Sequence, residues 1–260
     1  MNTVLSCLCG RFDRRSIKIY LASMSVLFWS LIFLAWLGYP TEHKYSIMTH
    51  TFSFLGSYDP QHSPVWWWLF TVALILWGMT TIPLVFYIHR HFSELSTAGA
   101  HTGAACLLTG AVCIMLVGIF PDVKTPLTST LRVTDVHEKV ALLAAAGFIL
   151  GNFTHGFLLL KDRFSGRQNL FVHRYFAVLY GIWLSILFTA SYFLIKWEFV
   201  YAQMKAAAQA TGQPIGSSWS EAMNTIYSFP LWENILIYSF FVFLVSKTLI
   251  LSSDGPAVED

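Results

Sequence analysis

Six long apolar runs constrain this chain more strongly than any other feature of its sequence. An α-helix of about 20 apolar residues spans the hydrocarbon core of a bilayer, which is roughly 30 Å thick. We place the six runs at residues 19–37, 65–87, 98–120, 139–160, 171–197 and 230–251. No internal repeat and no low-complexity linker divides the chain. The sequence therefore predicts one all-α domain over residues 19–251, an integral membrane bundle of six transmembrane helices.

The composition of the chain supports a membrane location and argues against one large class of functions. Charged residues make up 12% of the chain, whereas soluble domains carry roughly 25%. The mean hydropathy is +0.57, so we expect membrane lipid to surround the helices. The net charge of +2 provides no basic field that would attract nucleic acid. The composition does not indicate an oligomeric state.

The distribution of lysine and arginine predicts which way the bundle faces. If residues 1–18 and 252–260 are cytoplasmic tails, ten basic residues lie on their side of the membrane and six on the other. An excess of Lys and Arg marks the cytoplasmic side of a membrane protein. We therefore predict a multipass protein of the plasma or inner membrane, with a basic N-terminal tail and an acidic C-terminal tail in the cytoplasm.

Small residues predict which helices pack most closely. Gly99 and Gly103 lie four apart in the third run, and Gly147 and Gly151 have the same spacing in the fourth. Small residues at this spacing let two helix backbones approach each other in lipid. We therefore expect the third and fourth spans to form the centre of the bundle.

The connection 198–229 is predicted to form a helical cap on the outer face. Residues 198–210 are rich in helix formers, and Gly212 follows them. Ser218 and Glu221 then have the spacing of a capping box for a second short helix. We therefore expect short extramembrane helices in the loop before the last span.

The segment "YSIMTHTFSFLGSYDP", residues 45–60, is too polar for a membrane span and too apolar for an ordinary loop. At helical spacing Ser46, His50, Ser53 and Ser57 fall on one side, with His43 one turn earlier. This stripe indicates either a polar face turned toward other helices or an amphipathic helix lying on the bilayer.

Polar residues from three distant segments are predicted to meet at the outer side of the bundle. The third loop contributes Asp122 and His137, and the last span begins with Glu233 just inside the interface. Ionisable groups at membrane depth are costly and usually face the bundle interior, where they find partners and serve a function. We therefore predict a ligand-binding site composed of Ser46, His50, Ser53, Asp122, His137 and Glu233.

Simpler roles exist for several of these residues. Glu233 is also placed to stabilise a helix start through the helix dipole, and Asp122 is placed in a turn. His137 is also expected at a solvated helix start. His155 shares a face of the fourth span with Gly151, so we expect a satisfied histidine between helices.

Three motifs in order resemble a family catalogued as domain of unknown function 998. They are "THTFSFLGSYDP" with the helix after it, "GIFPDVKT" with "VHEKVALLAAAGF", and "LWENILIYSFFVFLVSKTLIL". The resemblance covers most of residues 19–251 and implies six helices in a multipass membrane protein of bacterial or archaeal type. It implies no activity. Phe54 and Asn234 depart from the family pattern, at positions where an acidic residue and an arginine are expected.

The residues leave two main functions open. One is a protein that binds a lipid headgroup or a small solute without covalent chemistry, since the chain lacks spacing-specific catalytic motifs such as His-Glu-x-x-His. The other is a membrane-embedded, metal-dependent hydrolase of lipid amides or esters. In that case His50, Asp122 and His137 would bind zinc and Glu233 would act as the general base.

A partial resemblance to a known enzyme superfamily supports the hydrolase hypothesis. The Ser46 and His50 pair, with Asp122 and His137, resembles the alkaline ceramidase and adiponectin-receptor superfamily. That group has seven spans and a His-x-x-x-His pair, and this sequence has neither. A b-type haem protein is a third option, although His137 and His155 lie on one helix and no obvious histidine pair faces them.

Overall fold

The computed structural model describes residues 3–41, 44–60, 64–165, 170–211 and 225–254. These residues form seven α-helices and one short 3₁₀ helix, η1, at Phe52–Gly56. The α-helices in chain order are α1 (Thr3–Leu8), α2 (Arg14–Leu37), α3 (Trp67–Ser93), α4 (Thr97–Ile119), α5 (Val133–Phe164), α6 (Leu170–Thr211) and α7 (Phe229–Asp254).

Six of these helices are long and apolar enough to cross a bilayer. They are α2 to α7, and each contains a membrane-length window of high mean hydropathy. The prediction of an all-α bundle with six spans is confirmed, and the chain is a multipass membrane protein. The ends of α5 and α6 extend beyond the predicted limits because helix formers and polar residues continue the backbone hydrogen bonding past the apolar core.

The fifth span is much longer than a membrane requires. Helix α6 has 42 residues, which corresponds to about 63 Å at 1.5 Å per residue. The helix predicted at residues 198–210 is present, but it continues the fifth span instead of standing apart from it. The second short helix, with Ser218 and Glu221, lies outside the described residues.

Six crossings place the beginning of α2 and the end of α7 on the same side of the bundle. We call the end that carries residues 38–41, 44–60, 64–66, 120–132 and 225–228 the site end. The opposite end carries residues 9–13, 94–96 and 165, and we call it the tail end. At the tail end Arg90 of α3 donates hydrogen bonds to the carbonyls of Cys9 and Gly10, which fixes the segment after α1. The assignment of the tail end to the cytoplasm stays a prediction.

Glycines bring α4 and α5 into close backbone contact, as their spacing predicts. A Cβ atom on Gly147 would lie 2.5 Å from the backbone nitrogen of Gly110, and one on Gly151 would lie 3.0 Å from the carbonyl oxygen of Gly103. Neither position has room for a side chain. The short separation maximises van der Waals contact, which is the main source of helix association in lipid.

An aromatic cluster fills the middle of the bundle. Phe28 stacks on Phe241 with ring centroids 4.4 Å apart, and Trp77 stacks on Phe148 at 5.8 Å. Phe148 in turn stacks on Phe240 at 5.9 Å. These five residues come from α2, α3, α5 and α7, so the cluster joins four helices and separates the polar groups of the site end from those of the tail end.

Candidate functional site

The polar segment 45–60 does not form the α-helix that its spacing suggested. Residues 47–49 form a turn and only Phe52–Gly56 are helical, in the 3₁₀ form. Ser46 explains the difference, because its Oγ accepts a hydrogen bond from the backbone N–H of Met48 at 3.2 Å. Such local bonds give the backbone an alternative to helical pairing. The interpretation as an amphipathic surface helix is therefore wrong, and His43 lies outside the described residues.

The beginning of α7 holds this segment in place. Asn234 is fully buried, and its Nδ2 donates to the carbonyl of His50 at 3.0 Å. The Tyr45 hydroxyl donates to Asn234 Oδ1 at 3.2 Å. Burial raises the pKa of Tyr45 above its ordinary value, and the nearby Tyr238 and Glu233 add to the effect. Tyr45 is therefore a neutral donor. At position 234, where the family resemblance predicts an arginine, the amide of Asn234 links α7 to segment 45–60.

Asp122 accepts hydrogen bonds from hydroxyl groups of two segments. Thr134 Oγ1 donates to Asp122 Oδ1 at 2.6 Å, and Ser53 Oγ donates to Asp122 Oδ2 at 3.3 Å. The buried Ser57 donates to the Asp122 backbone carbonyl at 2.9 Å. The expected turn residue is thus also a bridge between segment 45–60 and the start of α5.

His137 is buried at the first turns of α5, and its tautomer follows from its partner. Asp135 caps the helix by accepting a hydrogen bond from the backbone N–H of Arg132 at 2.7 Å, which fixes the direction of α5. His137 Nδ1 lies 2.7 Å from the carbonyl oxygen of Phe120. A carbonyl only accepts, so Nδ1 carries the proton that it donates, and Nε2 is the second nitrogen of the ring. The solvated role expected for His137 is wrong, since the side chain is buried.

A small cavity lies between these groups and the aromatic cluster. Its volume is about 70 Å³, which is room for a few water molecules or one small chemical group. Ser53, His137 and Glu233 line it at the site end. The rest of its wall is apolar and aromatic: Phe52, Phe70, Leu74, Trp77, Ile114, Val117, Ala141, Ala144, Ala145, Phe148, Ile237 and Phe240.

Glu233 is the unusual member of this cavity. Its side chain is only partly exposed, its Oε2 atom is buried, and that atom has no hydrogen-bond partner among the described residues. Trp77 also lines the cavity. Its Nε1 atom is likewise buried without a hydrogen-bond partner in the described part of the chain. The Glu233 carboxyl is close enough to Asp122 for an electrostatic interaction. Two acidic groups therefore share this region.

The six predicted site residues fall into two groups. Ser53, His137 and Glu233 line the cavity, and Asp122 is joined to it through Ser53. Ser46 and His50 lie apart from the cavity lining. The His50 ring packs edge-on against Tyr39 and Phe54, with centroids 5.4 and 5.9 Å away.

Ser46 and His50 contact each other locally. The Ser46 backbone N–H donates to His50 Nδ1 at 3.4 Å, and Thr49 Oγ1 lies 2.8 Å from the same nitrogen. These two residues therefore stabilise the fold of segment 45–60. Their direct contact with a ligand stays a prediction.

The described residues do not support the zinc hypothesis. Among them, no three His, Cys, Asp or Glu side chains are arranged to hold a metal ion. His50, Asp122 and His137 each have hydrogen-bond partners that differ from those of the others. Zinc binding and the role of Glu233 as a general base stay predictions.

A second polar cluster lies on the tail-end side of the aromatic cluster, and the sequence interpretation missed it. Lys247 of α7 is fully buried. Its Nζ donates to Asn152 Oδ1 at 2.6 Å and lies 3.3 Å from His155 Nδ1. The expectation that His155 points at neighbouring helices is right, but the ring is not fully satisfied, because its buried Nε2 has no partner among the described residues. The signal was a lysine inside the last apolar run.

Comparison with known proteins identifies a family. No curated protein and no solved structure matches the chain. Residues 24–212 match the model of a family described as "Protein of unknown function (DUF998)". The match covers more than half of the chain and includes part of α2 and all of α3 to α6. The chain therefore belongs to the DUF998 family of proteins of unknown function.

Proposed function

We propose that this membrane protein binds a small ammonium group in the cavity between Ser53, His137 and Glu233. The observation that carries the proposal is the buried Oε2 atom of Glu233, which lines the cavity without a hydrogen-bond partner in the described residues. A buried acceptor without a partner costs roughly 1–3 kcal/mol, and more when it is charged. A ligand that donates hydrogen bonds removes this cost.

The charges at the site favour a cationic ligand. Asp122 already has hydroxyl donors on both carboxyl oxygens. Glu233 lies within electrostatic range of Asp122, and no ion-pair partner reaches Glu233 from the described residues. Two neighbouring anions in a low dielectric repel each other. A bound cation, or a proton on Glu233, relieves this repulsion.

The remaining lining groups suit the hydrogen-bond pattern of an ammonium group. His137 donates through Nδ1 to Phe120, which leaves the Nε2 lone pair as its other hydrogen-bonding atom. Ser53 donates to Asp122 and therefore accepts from Thr51 Oγ1 at 3.1 Å, so its oxygen retains one further lone pair that accepts. An ammonium group offers only donors, and these groups provide acceptors. The site is therefore complementary to nitrogen that carries hydrogen and positive charge.

The aromatic wall and the size of the cavity narrow the ligand class. Phe52, Phe70, Trp77, Phe148 and Phe240 line the cavity. Aromatic rings stabilise organic cations through the negative faces of their π systems. A volume of about 70 Å³ admits a group of only a few non-hydrogen atoms. The ligand is a small free amine or the amine end of a lipid headgroup.

Equilibrium binding of radiolabelled methylammonium tests the proposal. The protein is reconstituted in nanodiscs made only of phosphatidylcholine, and binding is compared with that of Glu233→Gln. We expect the variant to bind at least about tenfold more weakly, because a charge-assisted hydrogen bond contributes more than about 1.4 kcal/mol. The matched control is Glu138→Gln, since Glu138 is exposed on α5 beside His137. That control should bind as tightly as the parent protein.

A second arm distinguishes the two sources of the amine. Phosphatidylethanolamine is added to the nanodiscs while the methylammonium concentration stays fixed. Loss of methylammonium binding identifies the lipid headgroup as the natural occupant, and unchanged binding identifies a free amine. Absence of binding to the parent protein, or equal binding by Glu233→Gln, overturns the proposal.

A further inference from the structure

A groove lies between helices α5 and α6, lined by the tail-end part of α5 and the first half of α6. The cavity in this groove has a volume of about 490 Å³, much larger than the cavity at Glu233. Its described lining comes from these two helices alone: Phe153, Gly156, Phe157, Leu159, Leu160, Arg163, Phe176, Ala177, Tyr180, Gly181 and Leu184. We call this cavity the α5–α6 groove.

Contacts between the two helices close the groove on its site-end side. The Tyr180 hydroxyl donates to the carbonyl of Asn152 at 3.0 Å, and the rings of Phe153 and Trp183 are 5.9 Å apart. Gly181 follows Tyr180 on α6 and faces open space, with no atom within 4 Å of a Cβ built there. The missing side chain keeps the groove open to the surrounding lipid.

The length of the groove matches one leaflet of a bilayer. Phe153 and Arg163 lie at its two ends on α5, and ten residues of helix correspond to about 15 Å. The hydrocarbon core of a bilayer is roughly 30 Å thick, so half of it is also about 15 Å. A groove of this length therefore spans the acyl-chain region of the tail-end leaflet.

The chemistry of the groove is apolar along its length and basic at its mouth. Arg163 is the only charged residue among the described lining, and it is exposed in the last turn of α5. The Tyr180 hydroxyl is already used by Asn152. A guanidinium group recognises a phosphate through two parallel hydrogen bonds. The walls of the groove can therefore contact a hydrocarbon chain, and Arg163 at its mouth can bind the phosphate of a lipid headgroup.

We propose that the α5–α6 groove binds one anionic phospholipid of the tail-end leaflet, with an acyl chain between the helices and its phosphate on Arg163. The apolar walls bind any acyl chain, and the positive charge at the mouth selects a net negative headgroup. This site is separate from the Glu233 cavity, because the aromatic cluster and α5 itself lie between them. It is also independent of the proposed binding of an ammonium group.

Native mass spectrometry of the protein released from nanodiscs tests this proposal. Equal amounts of phosphatidylglycerol and phosphatidylcholine are offered, and the lipids that stay bound are counted. We expect one phosphatidylglycerol to be retained preferentially, by about tenfold over phosphatidylcholine, since an Arg–phosphate pair is reinforced by the net headgroup charge. Equal retention of the two lipids would show only nonspecific annular lipid and would overturn the proposal.

Two pairs of variants locate the site. Arg163→Gln should abolish the preference for phosphatidylglycerol, whereas Lys161→Gln should keep it, because Lys161 lies in the same last turn but does not line the groove. Gly181→Phe fills the groove and should remove the retained lipid. Ser185→Phe, one turn further along α6 at an exposed position outside the lining, is its control.

The variants also provide the contrary outcomes. Equal effects of Arg163→Gln and Lys161→Gln would mean that charge alone attracts lipid to this end of the bundle. Retention of the lipid by Gly181→Phe would mean that it binds elsewhere. Either result overturns the assignment of the lipid to the groove. Because Arg163 is exposed, we expect Arg163→Gln to fold normally.

Discussion

The pair formed by Lys247 and Asn152 should contribute a measurable coupling energy to the stability of the bundle. Lys247 is fully buried, and its Nζ has two polar partners, Asn152 Oδ1 at 2.6 Å and His155 Nδ1 at 3.3 Å. Replacing Asn152 with leucine removes the shorter bond and leaves Nζ with one partner. We expect this change to lower the free energy of unfolding by about 1–3 kcal/mol, the usual cost of removing one partner of a buried hydrogen bond.

The second single variant and the double variant complete the cycle. Lys247→Met removes the amine and leaves Asn152 Oδ1 and His155 Nδ1 without this donor, so it also costs about 1–3 kcal/mol. The combination Asn152→Leu with Lys247→Met replaces a polar pair with apolar side chains of similar size. Such replacements are often neutral in a buried setting. The double variant should therefore be more stable than the sum of the two single losses predicts, by at least about 1 kcal/mol.

Four free energies of unfolding are needed: those of the parent protein, the two single variants and the double variant. They are measured by reversible unfolding in mixed detergent micelles, followed by circular dichroism. Thr102→Val is a control, since Thr102 is exposed on α4 and its hydroxyl donates only to the carbonyl of Ala98. It should change stability by less than about 0.5 kcal/mol. If the losses of the two single variants add without coupling, Lys247 and Asn152 do not act as a pair, and the reasoning is refuted.

Three further outcomes follow from the packing and from the polar network. Gly147→Ala should destabilise the bundle by about 1–3 kcal/mol, because its Cβ would lie 2.5 Å from Gly110 N. Gly181 faces open space, so Gly181→Ala should leave stability unchanged or raise it by up to about 1 kcal/mol in the same unfolding assay. Equal losses would contradict the close contact of α4 and α5. Asp122→Asn should weaken methylammonium binding by roughly two- to tenfold, since it removes a neighbouring negative charge; unchanged binding would separate Asp122 from the site. Asn234→Leu should speed proteolysis of residues 45–52, because it removes the bonds to Tyr45 and to the His50 carbonyl; an unchanged cleavage rate would show that other contacts hold the segment.

The architecture was predictable because hydropathy directly reports which segments prefer lipid. All six spans and the close packing at Gly147 and Gly151 follow from apolar run length and from small-residue spacing. The cavity residues His137 and Glu233 were also predictable, since each lies near the beginning of a span. Costly ionisable groups at such positions point inward. Ser53 was predicted from the polar stripe of residues 46–57, and it lines the cavity although that segment is not an α-helix.

The structure of segment 45–51 and the cluster at Lys247 could not be predicted, because they depend on contacts that the spacing of residues in the sequence does not show. A helical wheel assumes a helix, and local bonds from Ser46 prevented one at residues 45–51. His50 consequently points into an aromatic pocket instead of the cavity. Lys247 appeared to be one more basic residue near the cytoplasm, because the sequence does not show that Asn152 and His155 face it across the bundle.

The unusual length of α6 has a mechanical consequence. Thr211 lies 30 residues beyond Gly181 on the same helix, which places it about 45 Å away along the axis. A rod of that length magnifies rotation, so a tilt of about 10° at Gly181 sweeps its tip sideways by about 8 Å. A spectroscopic label near the end of α6 would therefore report movements inside the bilayer that are too small to resolve where they originate.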